Sequence, residues 1–154
     1  MLDTTGWKAL IWDLDGTLTA PGAGLPSAGI ETVLAAWAAR DVPMAVATSA
    51  STRAARRLVD DLGWSGRFDH VAGTGPGVEG KDDVIAEALL GLGRPLPEGA
   101  RGAVVVGDGP NDMAAAVALG ILAVGVAWGS TPAHVLRAAG ADHVVDDPAA
   151  LLPR

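Results

Sequence analysis

Ala9-Leu10-Ile11-Trp12-Asp13-Leu14-Asp15-Gly16-Thr17-Leu18 is the stretch on which the fold turns. Four apolar residues in a row, without alternation, suit a strand buried on both faces, as in parallel sheets covered by helices. The run stops at Asp13, and residues 16–26 are rich in Gly and Pro, which predicts a loop or small hairpin. Ile30, Val33, Leu34 and Trp37 then recur at i, i+3, i+4 and i+7, the apolar face of a helix.

The same alternation continues outward. Pro43 to Ala47 predicts a second strand ending at Thr48-Ser49, and Leu58 and Leu62 mark a helix closed by Gly63. Phe68 to Ala72 reads as a short third strand. Val84, Ile85, Ala88 and Leu89 mark another helix after the glycine-rich residues 73–80. Ala103 to Val106 is a fourth strand, Asn111 to Leu119 a helix, Leu122 to Val126 a fifth strand, Pro132 to Ala139 a helix and His143 to Val145 a last strand. Strands alternating with helices predict an α/β fold, a mostly parallel sheet with helices on both faces. With no internal repeat and no long linker, residues 1–154 are expected to form a single domain.

Composition narrows the function. Hydrophobic residues make up 49% and charged residues 19% of the chain, which excludes a disordered polypeptide. A net charge of −7 disfavours nucleic acid as a partner, although a small phosphate can still bind where a cation sits. The absence of cysteine excludes disulfides and thiolate metal sites. Met1 to Lys8 lack the basic start and apolar run of a signal peptide, and no apolar stretch reaches the roughly 18 residues of a membrane span. The expected location is the cytoplasm.

In open α/β sheets ligands bind beyond the carboxyl ends of the strands. Those ends carry Asp13 and Asp15 after strand one, Thr48-Ser49 after strand two, and Gly107-Asp108-Gly109-Pro110-Asn111-Asp112 after strand four; Lys81 opens the intervening helix. Carboxylate oxygens are hard ligands, and Mg²⁺ takes one or two of them with waters and substrate phosphate. A cation neutralises enough charge for an aspartate to approach a phosphate and attack it. Thr48 and Lys81 suit the remaining phosphate oxygens, and Asp15, two residues after Asp13, suits proton transfer to the leaving oxygen. Taken singly, Asp13 is an ordinary turn acid, Asp108 and Asp112 are ordinary helix caps, and Thr48 is a common strand end. Their convergence is what predicts a site.

Asp13-Leu14-Asp15-Gly16-Thr17-Leu18, Thr48, Lys81 and Gly107-Asp108 with Asp112 resemble, in order, the motifs of the haloacid dehalogenase-like hydrolase superfamily. Val124-Gly125-Val126-Ala127-Trp128-Gly129 and Gly140-Ala141-Asp142-His143-Val144-Val145 resemble its phosphoglycolate phosphatase branch. The resemblance implies a Rossmann-like three-layer core with Asp13 as nucleophile and Asp15 as general acid and base. It also implies Mg²⁺ held by Asp13, the Asp15 carbonyl and Asp108, with Asp112 in support directly or through water. Gly16, Ser49 and Arg53 join Thr48 and Lys81 as candidate substrate contacts. Three departures stand out. Only 34 residues separate Asp13 from Thr48 and 32 separate Thr48 from Lys81, which predicts a member without a cap domain. Ser49 stands where the branch often has Asn, and Lys81 precedes Asp82-Asp83 rather than Pro-x-Pro.

Other features have plainer readings. Gly75-Pro76-Gly77-Val78-Glu79-Gly80-Lys81 imitates two nucleotide-binding motifs, but Asp82 replaces the Ser or Thr that would meet Mg²⁺, and a flexible loop presenting Lys81 explains the glycines. Arg53, Arg56 and Arg57 share a helix face, a solvated one unless Arg53 meets a substrate carboxylate or second phosphate. The scattered His70, His134 and His143 have no metal-ligand spacing. Trp7, Trp37 and Trp64 are expected in the core or an interface, and Trp128 is a candidate pocket wall.

The leading expectation is a Mg²⁺-dependent phosphatase acting on small or larger phosphate monoesters. Without a lid, a neighbouring subunit or a bulky substrate must complete the site, which predicts a homo-oligomer. A phosphotransferase or phosphomutase would use the same residues with another acceptor. A receiver-like phospho-acceptor switch is the non-enzymatic alternative, opposed by Asp15, which would shorten the life of a phospho-aspartate, and by the Asp108–Asp112 pair.

Overall fold

The computed structural model describes residues 2–154. In chain order the elements are β1 (Ala9–Trp12), α1 (Ile30–Ala39), β2 (Met44–Ser51), α2 (Thr52–Asp61), β3 (His70–Thr74), α3 (Lys81–Gly91), β4 (Ala103–Gly107), α4 (Pro110–Leu119), β5 (Leu122–Val126), α5 (Ala133–Ala138) and β6 (His143–Val145). The strands form one sheet in the order β3-β2-β1-β4-β5-β6, and every pairing is parallel. The expectation of a mostly parallel α/β sheet is met by a fully parallel one of Rossmann-like form.

Side-chain alternation along the central strands divides the core into two layers. Leu10 and Trp12 point with Met44, Val46, Val104 and Val106 to the face covered by α1 and α2, where Leu34, Trp37, Ala55 and Val59 are buried. Ala9 and Ile11 point with Ala45, Ala47 and Ala123 to the other face, against Val84, Ile85 and Leu89 of α3, Met113 of α4 and Leu136 of α5. The large residues thus gather on one face, while alanines let α3 and α4 sit close on the other. Trp7 and Trp37 stack with centroids 5.7 Å apart, and the Trp37 indole N–H donates to the Leu151 carbonyl at 2.8 Å. The Trp64 ring meets Phe68 edge-on. These three tryptophans are core residues, as expected.

The boundaries differ in two informative places. β2 runs on to Ser51 instead of ending at Thr48-Ser49, with a register shift against β3 between Ala47 and Ser51. The shift lets a polar segment stay extended past the apolar run. β3 starts at His70, because Phe68 is spent in the Trp64 cluster and Asp69 joins by donating its amide to the Met44 carbonyl at 2.8 Å. The residues after β1 form tight turns stitched by single bridges Asp15–Thr19 and Thr19–Pro26.

The strand order places a topological switch between β1 and β4, where the connections leave in opposite directions and a crevice opens at the carboxyl ends. Trp12 pairs with Val106, and the Asp13 amide donates to the Val106 carbonyl at 2.9 Å, so Asp13 emerges beside Gly107 and Asp108.

Candidate active site

Asp13 follows the last residue of β1, Asp108 the last residue of β4, and Asp112 lies in the first turn of α4. One carboxylate oxygen from each of the three lies within 4.8 Å of those of the other two. Lys81, the first residue of α3, sends its ammonium into the same space. Nζ lies 2.9 Å from Asp13 Oδ1 and 2.8 Å from Asp112 Oδ1, and donates to the Ala47 carbonyl at 2.7 Å. Its three donors are therefore all engaged. The side chains of Lys81, Asp13 and Asp112 are 7%, 14% and 5% exposed, so these ion pairs are screened little by solvent.

Asp112 has two tasks. Its Oδ1 meets Lys81, while Oδ2 accepts the Gly109 amide at 3.1 Å and caps α4. Asp112 thus caps its helix and faces Lys81 at the same time. Asp108 forms no ion pair among the described residues. Its Oδ1 accepts the Thr17 hydroxyl at 3.2 Å, and its Oδ2 accepts the Ser130 amide at 3.2 Å and the Ser130 hydroxyl at 3.0 Å.

The turn after β1 packs against Asp108 without a side chain between them. Gly16 has φ +82°, and a Cβ there would stand 2.2 Å from Asp108 Oδ2. Gly129 meets the same carboxylate from the loop after β5, where a Cβ would stand 2.4 Å from the Gly16 carbonyl and 2.5 Å from Asp108 Cβ.

Burial pushes the Asp13 carboxyl well above the usual carboxylate range, and the Asp112 charge adds to that rise; the Lys81 ammonium opposes it without prevailing. For Lys81, burial pulls the pKa down, but Asp13 and Asp112 outweigh it and leave the ammonium above the usual lysine value. Three carboxylates against one ammonium leave two negative charges uncompensated when all are ionised. A small divalent cation with a preference for oxygen fits both that donor set and that charge.

The other predicted residues are placed as follows. Asp15 is exposed and outside the carboxylate cluster; its Oδ1 accepts the Gly22 amide at 2.9 Å. Thr48 is buried, its hydroxyl accepting the Ala50 amide at 3.3 Å. Ser49 is exposed and shares with Lys81, Gly80 and Asn111 a groove of about 470 Å³. Arg53 is exposed on α2 and lines a separate recess of about 300 Å³ with Arg57 and Leu58, away from the acids. Trp128 is tied by its indole N–H to the Thr17 carbonyl at 3.0 Å and borders a different recess with Pro21 and Pro148. A larger recess of about 670 Å³ opens among Trp7, Gly102 and Leu122, at the amino-terminal edge of the sheet, and the carboxylate cluster is not part of it. Ser130 carried no assignment from the sequence, although it follows β5 as the other site residues follow their strands.

Sheet order and site together define a Rossmann-like α/β fold of the haloacid dehalogenase type. The sequence model of that family, described as haloacid dehalogenase-like hydrolase, matches residues 20–120, beginning beyond Asp13. The chain belongs to the haloacid dehalogenase-like hydrolases. Over 103 residues it is 43% identical to the tyrosine-protein kinase PtkA of Mycobacterium tuberculosis, a match covering 66% of this chain and 34% of the kinase. The chain thus spans about a third of the length of the curated relatives it matches. The fold is similar to a predicted phosphatase from Clostridium acetobutylicum, with TM-score 0.83, 19% identity and coverage of 94% of this chain and 96% of that one. A predicted phosphoglycolate phosphatase from Haemophilus somnus gives TM-score 0.72 at 17% identity, over 96% and 97% of the two chains. No helix among the described residues is long and apolar enough to cross a membrane.

Proposed function

We propose that the chain is a Mg²⁺-dependent phosphatase that hydrolyses phosphate monoesters through a phosphorylated Asp13. The observation that carries this reading is the Lys81 ammonium held between Asp13 and Asp112 at the switch point of the sheet.

A carboxylate oxygen of Asp13 forms a bond to phosphorus as the bond from phosphorus to the ester oxygen breaks. Asp15 donates a proton to that departing oxygen, with Oδ1 steadied by Gly22 and Oδ2 available for the proton. Lys81, exchanging one of its present partners for phosphate, and Thr48 meet the phosphate oxygens as charge spreads over them, with Ser49, which shares a groove with Lys81, and the Gly16 turn, which packs on Asp108, as further substrate contacts. Asp15, now a carboxylate, takes a proton from water as that water attacks phosphorus, which releases inorganic phosphate and restores Asp13. Asp13, Asp108 and the Asp15 carbonyl would hold Mg²⁺, with Asp112 in support. When bound, the ion neutralises the clustered charge and polarises a phosphate oxygen.

The chain from β1 to β2 consists of turns and α1, and the chain from β2 to α3 consists of α2 and β3. These short connections support a single domain without a cap, whose open site a second subunit or a large phosphorylated substrate would complete. Arg53 lies where it could meet only a substrate that extends over α2. The acidic balance of the chain argues against nucleic acid as partner, and a cytoplasmic phosphatase is the simplest setting.

A panel of phosphorylated metabolites and phosphopeptides, assayed with Mg²⁺ and with chelator, tests the proposal. Turnover is expected on at least one ester with Mg²⁺ and on none with Asp13→Asn. Undiminished turnover in chelator would overturn it.

The likeness to PtkA favours a second reading, in which the phosphoryl group passes to a hydroxyl other than water's. Product analysis separates the two: inorganic phosphate marks the hydrolase, and a phosphorylated acceptor marks the transferase.

A further inference from the structure

We propose that Ser130 is a positioning residue for the cation site, fixing the Asp108 carboxylate from the loop after β5. The inference rests on Asp108 being a cation ligand, as read above. Ser130 grips Oδ2 of Asp108 twice, through its amide at 3.2 Å and its hydroxyl at 3.0 Å. The Thr17 hydroxyl takes the other oxygen at 3.2 Å.

Asp108 is 5% exposed, so these donors replace most of the water that an ionised carboxylate would otherwise keep. The terminal torsion of aspartate is broad. Donors on both oxygens narrow it and leave acceptor capacity for a cation. Asp13 and Asp112 have Lys81 for this purpose; among the described residues the uncharged donors to Asp108 are those of Thr17 and Ser130.

The loop that delivers Ser130 is itself braced. The Trp128 indole holds the Thr17 carbonyl at 3.0 Å, and Gly129 lies so close to Gly16 and Asp108 that no side chain fits between them. Ser130 nevertheless sits at the surface, with only its polar atoms committed inward. Removing its hydroxyl therefore takes away an orienting contact and little packing. Partners of metal ligands in such positions change affinity by about 10–100-fold when lost. Because the Ser130 amide remains in Ser130→Ala, the lower end of that range applies.

Mn²⁺ binding to the intact chain, followed by electron paramagnetic resonance and calorimetry, tests this without any turnover. Ser130→Ala should weaken Mn²⁺ binding by about tenfold, with its melting temperature in chelator unchanged. Ser130→Thr, which keeps the hydroxyl, should bind like the wild type. Wild-type affinity in Ser130→Ala overturns the proposal. So does equal weakness in Ser130→Thr, or a parallel loss of melting temperature in chelator, either of which would make the loop's packing the cause. A wild-type chain that binds no Mn²⁺ removes the cation site and this inference with it, an outcome distinct from wild-type binding that Ser130→Ala leaves unchanged.

Discussion

The Lys81 ammonium stands 2.9 Å from Oδ1 of Asp13, a residue 68 positions earlier, and an equally short step from Asp112. One cation from the first turn of α3 thereby serves acids from two different strand–helix units. Its removal leaves two buried carboxylates facing each other. Breaking a buried pair by deleting one partner costs about 3–5 kcal/mol. Lys81→Met should therefore lower stability by a few kcal/mol in chelator, measured by urea unfolding, and saturating Mg²⁺ should recover part of the loss. Equal stability of the two chains in chelator would contradict this account of the pair.

Asp13 behaves differently, because burial and Asp112 hold its carboxyl above the ordinary range. The folded state then binds this proton more tightly than the unfolded state. The associated stability is full below the ordinary carboxylate pKa and is lost as pH rises through the raised folded value. In chelator, wild-type melting temperature should fall across that interval, and Asp13→Asn should flatten the decline. Asp13→Asn should also abolish turnover on every ester. Parallel pH profiles for the two chains would remove the electrostatic cause assigned here.

Asp15 has its Oδ1 on the Gly22 amide and takes no part in the carboxylate cluster. Asp15→Asn should spare attack on an ester with a good leaving group, such as p-nitrophenyl phosphate, while slowing hydrolysis of the phospho-enzyme by about 10²–10⁴-fold. Intact mass after rapid acid quench should show one added phosphoryl group. Unmodified protein and a normal steady-state rate would count against Asp15 as the proton carrier.

Gly129 and Gly6 form a matched pair for packing. A Cβ at Gly129 would meet the Gly16 carbonyl at 2.4 Å, whereas one at Gly6 meets nothing within 4 Å. Gly129→Ala should destabilise by about 1–3 kcal/mol, and Gly6→Ala should stay within roughly ±0.5 kcal/mol. Thermal unfolding of both variants checks the contrast.

Much of this was readable in the chain because local pattern and tertiary context agree. The apolar runs Ala9–Trp12 and Leu122–Val126 became strands with the expected limits, since a strand buried on both faces tolerates no polar residue. The edges near the site were harder. β2 continues through Thr48-Ser49-Ala50-Ser51 because β3 pairs with it again after a register shift, which hydrophobicity does not report. The grouping of Asp13, Asp108, Asp112 and Lys81 followed from the strand-end rule, but their pairing did not. Only the adjacency of β1 and β4 places Lys81 between Asp13 and Asp112 and leaves Asp108 to hydroxyl donors. Ser130 escaped notice because a serine in a loop carries no signal of its own. Arg53 drew notice through helical spacing, and the structure puts it on a recess of its own.

The strand order has a bearing on how the molecule comes into being. β1 lies between β2 and β4, so one of its long edges stays bare until residues beyond Ala103 have left the ribosome. The nascent chain thus carries an open, wholly apolar ribbon from the emergence of β1 until that of β4, a template for unwanted pairing. Docking of β4 closes that edge and brings Asp108 beside Asp13 in the same event, so the carboxylate cluster is assembled only when the hazard ends.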